Sequence, residues 1–287
     1  MKKILVLTDF SASSRNAFQF ARSFFSDASA DFHLLYPHLA DGIEPPDFIA
    51  QMTQLAHETP QAPAATGLPS QDRTDWHTFR SSSKLGKPFD TVQQSIDAEH
   101  YDLVVIGPDE AVTDDLFGNS AIALIRLLKA NVLVVPADAR PKTVQQIVLA
   151  IDFAELTNHR LLDPLKELVL LKGATLTLLN IGIPGKKTIS VAQETLLRAY
   201  LLPIDPTIAS LSAVSAKQGI DAYLGEHTVD LLVTMPTYKG PLQPTSAHSH
   251  VRAHAFTPPV PLLTLYAHND TSMLQHIEDL SNLDFAL

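Results

Sequence analysis

The chain has 287 residues, 45% hydrophobic and 18% charged, with a net charge of −10 when histidine is neutral. This composition suits a globular protein able to bury two cores, and the acidic balance offers no overall field for nucleic acid. There is no cysteine, which excludes disulfides and thiolate chemistry. In the opening MKKILVLTDFSASS a short apolar run meets Asp9 almost at once, so a secretory leader is not expected. No apolar stretch approaches the ~18 residues that cross a bilayer. The expectation is a cytoplasmic protein with neither membrane nor nucleic acid as partner.

In chain order, Lys3–Thr8 is an almost continuous apolar strand, of the kind buried on both faces of a parallel sheet. Ser11 to Ser14 offer N-caps, and Phe18, Ala21, Phe24 and Phe25 recur at helical spacing behind them. A strand follows at Phe32–Tyr36 and a helix at Asp47–His57 after two prolines. Residues 58–73 are rich in Pro, Ala and Ser and read as a surface loop. Trp76–Phe79 is a short strand whose tryptophan is expected to pack. Lys87–His100 is an amphipathic helix, Leu103–Ile106 a buried strand, Ala121–Lys129 a helix and Val132–Val135 a closing strand.

After a linker at Asp138–Thr143 the same order returns. Strands are expected at Ile147–Ile151, Leu176–Ile181, Ile208–Val214, Leu231–Met235 and Leu262–Tyr266. Helices are expected at Leu161–Lys172, Ala192–Leu201, up to His227, and Ser249–Phe256. The repeat is visible in the letters. ILVLTDF at 4–10 answers IVLAIDF at 147–153, and DLVVIGP at 102–108 answers DLLVTMP at 230–236. Asp9 and Asp152 stand 143 residues apart, so two copies of one α/β domain are expected, at 1–138 and 145–287. Alternating strands and helices imply parallel sheets with right-handed crossovers. The apolar closing strands would be exposed edges in isolated domains, so they are expected to meet and form an internal pseudo-dimer.

These phrases resemble the universal stress protein (UspA-like) family in its tandem form. The resemblance is carried by KILVLTDFS at 3–11, DLVVIGP at 102–108, FGNSAIALIRLLKANVLVVP at 117–136, VLAIDF at 148–153 and HSHVRAHAFTPPVPLLTLY at 248–266. It implies two three-layer α/β/α domains, Rossmann-like and akin to the adenine nucleotide alpha hydrolases. Each would hold a five-stranded parallel sheet of order 3-2-1-4-5. It also implies dimerisation through the last strand, which leaves a homodimer as a further expected assembly.

Many family members bind ATP through a loop of form G-x2-G-x9-G-(S/T). Such a loop turns backbone N–H groups toward phosphates and ends at a helix N-terminus. In the first half Gly107 leads the loop, but Glu110 occupies the second glycine position, amid Asp109, Asp114 and Asp115. The stretch to Gly118 is two residues short, and Gly118-Asn119-Ser120 resembles the terminal Gly-Ser step or merely caps a helix. The vestigial site is therefore Asp9, Gly107, Gly118, Asn119 and Ser120. In the second half Met235-Pro236 replaces the leading glycine, with His248, His250 and Arg252 near the following helix. Asp9 and Asp152 could each accept a ribose hydroxyl or cap the helix that follows. No cofactor is expected, with ATP in the first half as the alternative.

Other chemistry finds little support in the sequence. His248, His250 and His254 lack a carboxylate at matching spacing, so no metal is expected. Ser81-Ser82-Ser83 has no nucleophile elbow around it. A nucleotidyl transferase would carry an H-x-G-H motif after the first strand, where this chain reads DFSASSRN. The expected function is a non-catalytic, stress-type binding and regulatory protein with degenerate nucleotide loops. The alternative is an ATP-binding protein using its first domain, with slow hydrolysis.

Overall fold

The computed structural model describes residues 1–38, 48–57, 76–108, 128–151, 153, 156, 158–185, 190–235 and 259–266. Within them, ten strands form one sheet. The first half contributes β1 (Lys2–Leu7), β2 (Ala30–His38), β3 (His77–Leu85), β4 (Leu103–Ile106) and β5 (Val132–Val134). The second contributes β6 (Gln146–Ala150), β7 (Thr175–Gly182), β8 (Thr207–Ser212), β9 (Leu231–Thr234) and β10 (Leu262–Thr264). The helices are α1 (Ala12–Phe24), α2 (Phe48–His57), α3 (Pro88–Glu99), α4 (Asp163–Lys172), α5 (Val191–Leu201) and α6 (Ala216–Glu226), with a 3₁₀ turn at His159–Leu162 before α4.

The strand order is β3-β2-β1-β4-β5-β10-β9-β6-β7-β8. Each half therefore reads 3-2-1-4-5 and is parallel throughout. The halves join where β5 and β10 run antiparallel, with Leu262 opposite Val134, Leu263 opposite Leu133 and Thr264 opposite Val132. All six of these residues are buried. The α/β class and the strand order match the sequence reading.

Successive strand residues point to opposite faces, and two cores result. Ile4 and Val6 look toward the face covered by α1, α4 and α5. Leu5 and Leu7 look toward the face covered by α3 and α6. Phe18 of α1 is fully buried and meets Phe32 and Phe79 edge-on, at centroid distances of 5.8 and 6.0 Å.

The repeated Asp in the phrases DLVV and DLLV has the same structural task twice. Asp102 Oδ2 accepts from the Lys3 N–H at 2.8 Å. Asp230 Oδ2 accepts from the N–H groups of Gln145 and Gln146 at 2.8 and 2.9 Å. Each carboxylate pins the start of its half's first strand. Asp230 is buried, which alone would raise its pKa. The Lys142 ammonium at 2.6 Å and the two backbone donors outweigh that burial and hold the carboxyl below its ordinary value.

A polar cluster sits between β2, β3 and α3. Arg80 Nη1 donates to Glu99 Oε1 at 2.9 Å, and Arg80 Nη2 donates to the Tyr101 hydroxyl at 3.1 Å. The Tyr101 hydroxyl also meets His33 Nδ1, and His33 Nε2 lies 2.7 Å from Ser82 Oγ. Burial, with Arg80 nearby, pushes His33 down to about 4. Burial also pushes Tyr101 up to about 12.

Two sequence expectations change here. β3 is longer than Trp76–Phe79, because the serine run pairs residue by residue with β2 as far as Leu85 opposite His38. Trp76 does not pack: it is 72% exposed, just before β3. The segment 58–73 and the helices expected at Ala121–Lys129 and Ser249–Phe256 lie wholly or almost wholly outside the described residues.

Phe18→Ala should lower the unfolding free energy by about 3–5 kcal/mol, whereas Trp76→Ala should change it by less than about 0.5 kcal/mol; denaturant titration of both variants checks the assignment. Below its ordinary value of 6.5, His33 takes a proton in the unfolded chain that the folded protein refuses until about pH 4. The unfolded state thus binds more protons across that window, and stability falls as pH is lowered through it, by ~3 kcal/mol in total. The stability difference between the parent and His33→Gln should show this slope from pH 6.5 to 4; a flat difference would contradict it.

Candidate functional site

In an open parallel sheet, ligands gather where the strand order reverses, at the carboxyl ends of the strands. In the first half that point lies between β1 and β4. β1 runs out into the buried Thr8, then Asp9 and Phe10. Phe10 has φ +64°, a conformation unusual for a bulky side chain and frequent at functional turns. Three contacts hold it there. Its N–H donates to Thr8 Oγ1 at 3.0 Å, its carbonyl accepts from Arg15 Nε at 3.2 Å, and its ring lies 5.2 Å from that of Tyr36. Tyr36 in turn stacks on His38 at 5.7 Å.

Asp9 Oδ1 accepts from the Ser11 N–H at 2.9 Å, which closes the turn into α1. The helix cap itself is Ser11, whose Oγ accepts from the Ser14 N–H at 3.1 Å. Of the two roles open to Asp9, capping α1 therefore falls to Ser11, and the aspartate braces the turn before it.

Gly107 follows β4 and faces the first turn of α1. A Cβ there would lie 2.4 Å from the Ser13 carbonyl oxygen and 2.9 Å from Ala17 Cβ. The Ser13 hydroxyl donates to the Pro108 carbonyl at 2.6 Å across the same contact. Gly107 is thus needed for α1 to lie directly on the end of β4. Farther along α1, Asn16 Nδ2 donates at 3.0 Å to the carbonyls of both Pro136 and Ala139, fastening the chain that leaves β5.

The second half departs at this same contact. Met235 stands where Gly107 stands in the first half. The regular helix begins only at Asp163, after the 3₁₀ turn at His159–Leu162. In the first half Ala12 already opens α1, three residues beyond Asp9. Thr234, at the end of β9, is buried, and its hydroxyl has no hydrogen-bond partner among the described residues.

The parallel pairing of β1 with β4 sets Asp9 and Gly107 just beyond neighbouring strand ends. Gly118, Asn119 and Ser120 lie outside the described residues, as do Glu110, Asp152, His248, His250, Arg252 and His254. The Phe10–Tyr36–His38 ring series escaped the sequence reading, because nothing in the periodicity marks Phe10 as left-handed. The same holds for Asn16, a lone polar residue in an amphipathic helix.

Residues 1–136 match the model of the universal stress protein family. These residues belong to the universal stress protein family. A universal stress protein from Archaeoglobus fulgidus has the same fold, with a TM-score of 0.65 at 14% identity over 92% of this chain and 97% of that one. A protein of unknown function from Pseudomonas aeruginosa follows, with a TM-score of 0.59 at 16% identity over 99% and 98% of the two chains. The cytoplasmic domain of a prokaryotic cation chloride cotransporter shares the fold too, with a TM-score of 0.54 at 13% identity over 96% and 99%. No curated protein matches the chain.

In this universal stress protein domain, then, the glycine that leads the family's loop pattern also serves as a packing glycine. No helix among the described residues is long and apolar enough to cross a membrane. Gly107→Ala should cost about 1–3 kcal/mol of unfolding free energy, because backbone on both sides must move. Ser13→Ala, which removes a single hydrogen bond, should cost about 1 kcal/mol. Denaturant unfolding of the two variants checks the order; a Gly107→Ala protein as stable as the parent would remove the packing role.

Proposed function

We propose that the protein is a non-catalytic binding and regulatory protein of the universal stress type, cytoplasmic, with degenerate nucleotide loops in both halves. One observation carries this reading. The Gly107 Cβ position is filled by the Ser13 backbone, so the glycine is accounted for by packing and its presence does not argue for a phosphate loop. What remains of the pattern is weak. Glu110 stands at the second glycine position with Asp109, Asp114 and Asp115 around it, and Met235 heads the second loop. Carboxylates facing a triphosphate cost on the order of a kcal/mol or more unless a metal bridges them.

The two halves act together as an internal pseudo-dimer in this reading, supported by the antiparallel pairing of β5 with β10. A homodimer would then have to use other surfaces, since both closing strands are already paired. The second reading, ATP binding in the first half with slow hydrolysis, draws on the crevice itself. Asp9 lies at the reversal of strand order, beside the Phe10 and Tyr36 rings.

Calorimetric titration of the full chain with ATP and magnesium should give a dissociation constant well above the micromolar range. Binding at or below micromolar would overturn the degenerate-loop reading in favour of the second. In that event Asp9→Ala and Gly118→Val should each abolish binding.

A further inference from the structure

The two outer strands of the sheet are built differently. β3 closes one end of the strand order and β8 the other, and among the described residues neither has a second neighbour. β3 carries Arg80 and Lys84, charges of the kind that guard an open edge against another chain. β8 has no such guard. From Pro206 to Ala216 the sequence PTIASLSAVSA holds no charge, in a chain whose net charge is −10.

The unpaired backbone of β8 can be located residue by residue. The Ala213 N–H donates to the Gly182 carbonyl at 3.1 Å, one step beyond the parallel register of β7 with β8. Along a strand, successive residues direct their backbone groups to opposite sides. Thr207, Ala209 and Leu211 therefore bond to β7. Ile208, Ser210 and Ser212 turn their N–H and C=O groups outward.

The flank of this edge is apolar. Val191 and Leu202 lie three helical turns apart, on the side of α5 that carries Arg198, and both are exposed. That side faces the entry to β8, since Arg198 Nη1 donates to the Pro206 carbonyl at 2.9 Å. Val214, just beyond β8, is exposed as well. Exposed apolar side chains gathered along one edge mark an interaction surface. Arg198 is engaged within the chain, with Nε donating to Glu194 Oε1 at 3.1 Å.

These features select the partner. A two-fold dimer sets a strand against its own copy, so each charge on it meets a like charge. A neutral edge suits such self-pairing, and an edge like β3 resists it. About a two-fold axis normal to the sheet the strands run antiparallel, and outward residues must oppose outward residues. A register centred on Ser210 meets this condition along the whole strand. Ile208 then faces the partner's Ser212, and Ser210 faces the partner's Ser210. A register centred on Ala209 would instead set Pro206, which has no N–H, opposite the partner's Ser212.

We propose that β8 is a homodimerisation edge: two copies of the chain pair antiparallel through it, with Ser210 at the two-fold axis and the apolar flanks of the two α5 helices side by side. The two sheets then run on as one, in the manner of β5 with β10 inside the chain. The proposal concerns the sheet edge alone and is independent of what either crevice binds.

Sedimentation equilibrium of the full chain tests it. The parent should show a concentration-dependent mass that approaches that of two chains and no more. Ser210 is exposed, so substitutions there keep the fold, which circular dichroism checks. Ser210→Lys and Ser210→Glu each set like charges against each other across the axis, and each should raise the dissociation constant roughly fivefold. An equimolar mixture of the two should return it to the parental value, because the facing charges are then opposite. Ser210→Pro removes the outward N–H at the axis without touching a bond to β7, and should weaken association by about tenfold or more. A parent that stays monomeric, growth beyond two copies, association unmoved by the three variants, or a mixture that fails to recover would each overturn the proposal.

Discussion

The pairing of β5 with β10 is the constraint on which the rest of the molecule turns. It spans only three residue pairs, yet it makes ten strands one sheet and leaves no apolar edge in the middle of the chain. Isolated, each closing strand would present buried-type residues and unpaired backbone groups to water. Because the pairing is antiparallel and both halves are internally parallel, the strand directions reverse across the seam. The carboxyl ends of β1 and β4 therefore lie at one end of the sheet, and those of β6 and β9 at the other. Two crevices on opposite ends cannot share a ligand. The halves meet at the seam, where α4 is tied to β1 by Lys2–Glu167 and to the turn after α1 by Lys172–Asp27.

The two halves share a topology but diverge at the contact between the first helix and the fourth strand. In the first half a glycine permits α1 to start directly on the end of β4, and Ser13 fastens it to Pro108. In the second half methionine occupies the equivalent position, and the helix is displaced along the chain to begin at Asp163, behind a 3₁₀ turn. The glycine-to-methionine difference and the later helix start thus occur together. Since backbone N–H groups at that N-terminus are what an anion would meet, this divergence bears on chemistry as well as packing.

The sequence made the strands legible because buried parallel strands are written as unbroken apolar runs, and VLVV or LLVT admits few other readings. It also made the duplication legible, since DLVV and DLLV preserve an aspartate that pins the first strand in each half. β3 was read too short because its serines carry no apolar signal; their place in the sheet comes from pairing with β2 along its whole length. Trp76 was misplaced for the converse reason. Size and hydrophobicity argue for burial, but a residue at the entry to an edge strand has only one neighbouring strand to pack against. In the site, Asp9 and Gly107 were found from the letters, while their actual contacts were not. A motif glycine looks the same whether a phosphate or a helix backbone demands the missing Cβ.

That ambiguity has a general consequence for reading degenerate loops. Once Gly107 is required by Ser13, it persists whether or not nucleotide binding does, so its survival carries no information about function. The same logic applies to the Asp9 turn, where the carboxylate is engaged by the Ser11 N–H before any ligand arrives. The seam differs in kind: Leu103, Leu133, Leu263 and Leu265, from both halves, are buried there in one core. Of the ion pairs there, Lys2 with Glu167 is partly exposed and individually worth little to stability, whereas Lys172, paired with Asp27, has a buried side chain that also donates to the Phe24 carbonyl.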